Sequence, residues 1–253
     1  MIDKVPIRSL LPFLNETMLF QFHWGFKKAG KSREDFVAWA KKEVRPILTR
    51  LAKQCADEEI IVPRAVYGYW KAAGDGNDLV LFDSDGHREA ARFTLPRQQR
   101  EDGICIADFV RDISAPERDV VGLQVVTAGE RASEVAREWF KENRYQDYLY
   151  LHGFGVEMAE AMAEYVHKRI RNELGFGSED ARDIEKLLKQ GYRGSRYSFG
   201  YPACPNLGDQ RRLLELLDAG RIGVVLGEED QLEPEQSTSA IVILHPQAKY
   251  FTV

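Results

Sequence analysis

Val66-Tyr-Gly-Tyr-Trp70, Leu79-Val-Leu-Phe82 and Ala91-Arg-Phe-Thr-Leu95 are short runs rich in β-branched and aromatic residues, with glycine and aspartate clusters between them. Runs bounded by such turn formers read as strands, and their close spacing predicts an antiparallel meander. The texture changes at about Arg64; what precedes it is helical. Ser32-Arg-Glu-Asp35 opens a helix whose Phe36, Trp39, Ala40 and Val44 recur at helical spacing. Pro46 interrupts that helix, and Ile47, Leu48 and Leu51 continue the apolar stripe after it. Downstream, Val120-Val-Gly-Leu-Gln-Val-Val-Thr127 is a nearly continuous apolar run, which predicts a strand buried on both faces.

Helices are expected over about 133–143 and 148–174, the second loosened at its start by Gly153 and Gly155. A further helix is expected from Ser178 to about Gln190, and another from Gly208-Asp209 to Leu217. Ile222-Gly-Val-Val-Leu226 and Ser239-Ala-Ile-Val-Ile-Leu244 read as closing strands. Strands and helices segregate rather than alternate, so the fold class is α+β with mainly antiparallel pairing. An N-terminal helical arm (1–62) and an α+β body (63–253) are expected. The glycine-rich strand-to-helix turn of a Rossmann nucleotide site is missing.

The hydrophobic fraction of 44% and charged fraction of 30% are those of an ordinary globular protein able to bury a core. A net charge of −5, with no basic run, argues against nucleic acid as a partner. No apolar stretch reaches the ~20 residues that span a bilayer, so no membrane partner is expected. Three far-apart cysteines, Cys55, Cys105 and Cys204, have neither zinc-ligand spacing nor the number of a disulfide framework. With an N-terminus unlike a signal peptide, they point to a cytoplasmic location.

Arg193-Gly-Ser-Arg-Tyr-Ser-Phe-Gly-Tyr-Pro-Ala-Cys-Pro205 is the stretch that carries chemistry. Two glycines and two prolines exclude a helix and disfavour a central strand, which leaves an ordered loop. It combines arginine forks, suited to a carboxylate or phosphate, with rings suited to a flat base or a cation. A packed surface connection is the plainer reading of the same composition. In the long helix, Glu157 and Glu164 read as a solvated flank, and Glu164 with His167 is too small a set for a metal site. Asp108 reads as either a turn former or a loop-anchoring acceptor, a structural role in both cases. Asp85-Gly-His87-Arg-Glu-Ala90 falls short of the Asp-x-His-x-x-Gly pattern with which corrinoid-binding domains supply a histidine ligand.

Arg193-Gly-Ser-Arg196 followed by Gly200-Tyr-Pro-Ala-Cys-Pro205 resembles the signature loop of the activation domain of cobalamin-dependent methionine synthase. Arg97-Gln-Gln, Ile106-Ala-Asp-Phe109, Ala159-Glu-Ala-Met-Ala-Glu-Tyr165 and His245-Pro-Gln-Ala-Lys-Tyr250 match in the family's order, so the resemblance covers nearly the whole chain. It implies a single C-shaped domain with a twisted antiparallel sheet flanked by helices, in which Ile104–Phe109 is a strand near the ligand groove. It implies binding of S-adenosylmethionine and presentation of its methyl group for reductive methylation of an oxidised cobalamin held by a partner domain. The chain would then be a monomeric part of a methyltransferase that turns over nothing alone, with a cobalamin-binding domain and a flavodoxin-like electron donor as partners.

The residues that the resemblance assigns to the ligand are Asn15, Glu160, Arg196, Ser198, Tyr201, Tyr250 and Phe251. Arg196 would hold the methionine carboxylate, Ser198 and Tyr201 would line the adenosine groove, and Glu160 would face a polar or positive part of the ligand. The chain departs from the family twice: Asn15 stands where better-known members have aspartate, and Phe251 where they have tyrosine. A docking module that positions a corrinoid domain and an electron donor is the alternative function. An independent methyltransferase would need a base–nucleophile constellation, which the sequence does not offer.

Overall fold

The computed structural model describes residues 1–100 and 102–253. In chain order the elements are α1 (Ile7–Leu10), α2 (Arg33–Glu43), α3 (Arg45–Asp57), β1 (Arg64–Asp75), β2 (Asp78–Phe82), β3 (Glu89–Thr94), β4 (Asp119–Thr127), α4 (Glu130–Lys141), α5 (Tyr145–Glu173), α6 (Ile184–Leu187), β5 (Ser195–Ser198), α7 (Gln210–Leu217), β6 (Val225–Leu226), β7 (Leu232–Glu233) and β8 (Ser237–Ile243). The class is α+β, as expected. Two compact units share the chain. The first comprises Met1–Ala65, Val126–Tyr165 and Glu233–Ser237; the second comprises Val66–Val125, Val166–Leu232 and Thr238–Val253.

The first unit is helical. Ser32 caps α2 by accepting the Asp35 N–H, with Glu34 and Asp35 in the first turn where the helix dipole favours anions. Pro46 sits in the first turn of α3, where its missing donor costs nothing, so the proline restarts the helix rather than ending it. Leu48, Leu51, Ala52 and Cys55 form the buried stripe of α3. The aromatic N-terminus is only partly core. Phe20 and Trp24 are buried, but Phe22 is 72% exposed. The Trp24 indole N–H donates to the Tyr150 carbonyl at 3.1 Å. Gly153 and Gly155 do not loosen α5, which runs through both. They admit close neighbours instead: a Cβ on Gly153 would lie 2.6 Å from the His23 Cβ, and one on Gly155 would lie 3.0 Å from Gln236.

The second unit is built on a six-stranded sheet, among the described residues, in the order β3-β2-β1-β4-β8-β5. The meander pairs antiparallel, with Ala72 opposite Leu81 and Leu79 opposite Phe93. β4 is buried from Val121 to Thr127, as its apolar run predicts. Behind the sheet lie Leu79, Phe93, Leu123, Tyr197, Leu213, Ile241 and their neighbours. Asp83 closes the turn before β3 by accepting the N–H groups of Gly86, His87 and Arg88. Cys55 and Cys204 are buried, and burial pushes each thiol up to about 12, so both are inert.

Three expectations are corrected. Ile106–Phe109 is a 3₁₀ turn rather than a strand, because Asp108 folds back to accept the Cys105 N–H. The helix expected from Ser178 to Gln190 breaks into a 3₁₀ turn at Gly177–Glu179 and the short α6, which Asp183 caps. Ile222 lies in a 3₁₀ turn that ends at Gly223 with φ +77°, so only Val225–Leu226 remains extended.

Candidate functional site

The arginine- and glycine-rich loop is part strand. Ser195–Ser198 pairs antiparallel with β8, Arg196 opposite Val242 and Ser198 opposite Ala240. β5 lies at the sheet edge, and its prolines follow it rather than interrupt it. Period-2 alternation buries Ser195, Tyr197 and Phe199 and leaves Arg196 and Ser198 half-buried on the other face. The chain then turns through Gly200 at φ +87° and closes on itself, Cys204 donating its N–H to the Tyr201 carbonyl at 2.8 Å. Tyr201 stands 54% exposed beside this turn.

The C-terminal segment is tied to that loop. The Tyr197 hydroxyl donates to the Lys249 carbonyl at 2.9 Å, and Lys249 Nζ donates to the carbonyls of Gln190 and Tyr192. The ring of Phe251 packs inward, 5.9 Å from Tyr197 and 6.3 Å from Phe109. Its neighbour Tyr250 faces out, 47% exposed. The structure thus brings Arg196, Ser198, Tyr201 and the Tyr250–Phe251 pair into one unit, with Phe251 on the core side.

A buried polar cluster anchors the root of the loop. Arg171, on α5, is fully buried and donates to Asp180 from Nε at 2.7 Å and from Nη2 at 3.0 Å. Its guanidinium lies 3.9 Å over the Tyr192 ring, and His167 meets the same ring edge-on. Burial, with the positive charges of Arg171 and Arg196 adding to it, holds His167 well below its ordinary pKa and therefore neutral. Arg193 donates to the Leu244 carbonyl at 2.8 Å and lies over Phe176. Sequence reasoning missed this cluster, because Asp180 looks like any acidic first-turn residue. A second anchor was legible: Asp108 receives a bidentate Arg97 fork at 2.6 and 2.7 Å. Burial acts to raise Asp108, but the Arg97 and Cys105 bonds outweigh it and hold the carboxyl below its usual range.

Asn15 and Glu160 belong to the helical unit. The Asn15 side chain accepts the Met18 N–H at 3.2 Å and so tethers the start of the π-helix Met18–His23. Glu16 is engaged by Arg45 at 2.8 Å. Glu160 is half-buried, but its expected solvated neighbours are not solvated: Glu157 and Glu164 are 5% and 7% exposed. Glu157 accepts the backbone N–H of Asn15 and lies 3.2 Å from His23 Nε2. Burial and then repulsion from Glu160 push its carboxyl up to about 7, although the Asn15 N–H pulls the other way. One sequence signal was available. Gly153, a turn earlier, marks a close approach on that face of the helix. Among the described residues no group of three His, Cys, Asp or Glu side chains could hold a metal ion, and no helix is long and apolar enough to cross a membrane.

Residues 6–253 match the family of vitamin B12-dependent methionine synthase activation domains. The methionine synthase of Mycobacterium leprae is 44% identical over 269 residues, covering 100% of this chain and 22% of that protein. That of Mycobacterium tuberculosis is 44% identical over 257 residues, covering 95% of this chain and 21% of that protein. The chain therefore spans about a fifth of the length of these relatives. A crystal structure of the MetH reactivation domain bound to AdoHcy superposes with a TM-score of 0.90 at 25% identity, covering 98% of this chain and 79% of that one. On the match along residues 6–253, the chain belongs to the family of vitamin B12-dependent methionine synthase activation domains.

Proposed function

We propose that this chain binds S-adenosylmethionine and presents its methyl group for reductive methylation of an oxidised cobalamin held by a partner domain. The observation that carries the reading is the edge strand β5, which displays a half-buried arginine beside exposed tyrosines. An edge strand offers backbone donors and acceptors on its open side, which suits the rim of a purine. The bound AdoHcy in the related crystal structure supports the same ligand class. S-adenosylmethionine supplies an activated methyl group on a cationic sulfur; the rest falls to the residues of the chain. Arg196 holds the carboxylate, Ser198 and Tyr201 line the adenosine, and Asn15 and Glu160 meet the cationic end. Tyr250 closes over the ligand, and Phe251, seated in the core, fixes its position. The 1–62 arm and 63–253 body act together as one activation domain. A cobalamin-binding domain would bring the cobalt and a flavodoxin-like donor the electron, and the reaction would run in the cytoplasm.

Calorimetric titration tests the reading. Saturable heat with S-adenosylmethionine and with S-adenosylhomocysteine is expected. No heat with either, together with binding of a cobalamin domain, would make the chain a docking module instead. Arg196→Ala is expected to weaken S-adenosylmethionine binding at least about tenfold, since charge-assisted bonds to a carboxylate are worth roughly 1.5–3 kcal/mol each. Unchanged affinity in a folded variant removes Arg196 from the site. Asn15→Asp is expected to tighten binding by up to roughly fivefold at low salt, because the aspartate keeps the cap and adds a charge near a wet site. Equal affinities of the two proteins at low ionic strength would show that position 15 does not face the ligand.

A further inference from the structure

Asn15 lacks the charge that a cationic ligand favours, and Glu16, one residue on, is already taken by Arg45 of α3. An anion that touches the Asn15 backbone directly is Glu157. It lies beneath the Asn15 backbone, whose N–H it accepts, one helical turn from Glu160. The placement is built into the packing. Gly153 has no Cβ, which lets His23 approach α5 to within 2.6 Å of where that atom would be. His23 Nε2 then reaches Glu157 at 3.2 Å.

We propose that Glu157 is a positioning residue for the methyl-donor site: it holds the Asn15 backbone in place and, when ionised, supplies the negative charge that position 15 lacks; protonated, it keeps an acceptor for the Asn15 N–H and loses the charge. The proposal rests on the reading that this chain binds S-adenosylmethionine.

The groups that face Glu157 set the direction of the switch. On α5 itself, Glu160 repels its charge. From the Met18–His23 turn, His23 faces it, and burial followed by the charge of His152 lowers the His23 pKa. His23 is therefore neutral at pH 7, and its N–H can donate to the carboxylate without cancelling its charge. Behind His23, His152 lies 3.9 Å from Glu235 and 3.4 Å from Gln236. On lowering the pH through about 7, Glu157 takes up a proton. Because burial raises the carboxyl, the folded chain holds this proton more tightly than the unfolded chain. The linked stability is complete below the ordinary glutamate range and is lost as the pH rises through about 7.

Glu157→Gln keeps an acceptor for the Asn15 N–H and removes the charge. The measurement is the ratio of the variant's Kd for S-adenosylmethionine to that of the unaltered chain, by calorimetry from pH 6 to 8.5. The ligand's own amino group titrates equally in both and cancels. The ratio is expected to be about three- to fivefold at pH 8.5, the size of one partly screened charge, and to fall toward one at pH 6. A ratio that is the same at every pH, whatever its size, overturns the proposal. Thermal unfolding without ligand gives the second readout. The unaltered chain is expected to lose stability relative to Glu157→Gln between pH 5 and 8, and a constant difference across that range also overturns the proposal. If the unaltered chain binds no S-adenosylmethionine at any pH, the functional reading itself fails and takes this inference with it, whereas binding with a flat ratio removes only the inference.

Discussion

Asp180→Ala is expected to lower the melting temperature by roughly 6–20 °C, the equivalent of ~3–5 kcal/mol lost when one partner of a buried pair is removed from a chain of this size. Arg171 is fully buried, and the Asp180 side chain is 5% exposed. Without the carboxylate, the guanidinium keeps its charge and its place over Tyr192 but loses two bonds that offset its desolvation. Lys168, 3.8 Å from Asp180, loses the same carboxylate. The double variant Arg171→Met, Asp180→Leu is expected to be less destabilised than Asp180→Ala, because it removes the buried charge along with its partner. Differential scanning calorimetry decides the matter. A drop below about 2 °C for Asp180→Ala would mean that water reaches the pair in solution. The same variant is expected to weaken S-adenosylmethionine binding, since Tyr192 leads directly into Arg193 and β5.

What could be read in the sequence was what local chemistry decides. The meander, the Ser32 cap and the restart at Pro46 all rest on neighbours within a few residues. The stretch that carries Arg196, Ser198 and Tyr201 stood out the same way, because its glycines and prolines leave few conformations, whereas the ligand roles of these residues came from the family resemblance alone. What failed depended on distant partners. Asp180 belongs to Arg171, nine residues back, and this splits the helix that its neighbourhood favours. Asp108 turns back to its own loop and to Arg97, so an apolar run becomes a 3₁₀ turn. Glu157 looked solvated because glutamate on a helix flank usually is, while its burial comes from His23 and the Asn15 turn. The glycines of α5 were read as weakness when they mark the contact that buries Glu157.

Gly194→Ala is the other substitution with a large expected effect. Gly194 precedes β5 at φ +86°, where an L side chain strains the backbone by ~1–2 kcal/mol. Space is a separate problem. An added Cβ would lie 2.2 Å from the Ile243 carbonyl oxygen and 2.9 Å from the Leu244 Cα. Both belong to backbone at the end of β8, and Ile243 is the partner of Ser195 at the first rung of the ladder. A flexible side chain could move aside; this backbone cannot move without breaking the pairing. Overpacking of that kind adds roughly 1–3 kcal/mol. The cheapest relief is to peel the start of β5 away, which displaces Arg196 two residues on. Gly194→Ala is therefore expected to destabilise the chain by roughly 2–5 kcal/mol and to weaken S-adenosylmethionine binding at least about tenfold. Gly223→Ala separates the two causes. Gly223 also has a positive φ, +77°, but no atom lies within 4 Å of its would-be Cβ. It is expected to cost only the ~1–2 kcal/mol of backbone strain and to leave affinity unchanged. If the two variants match in both stability and affinity, the contact with β8 does not govern the loop.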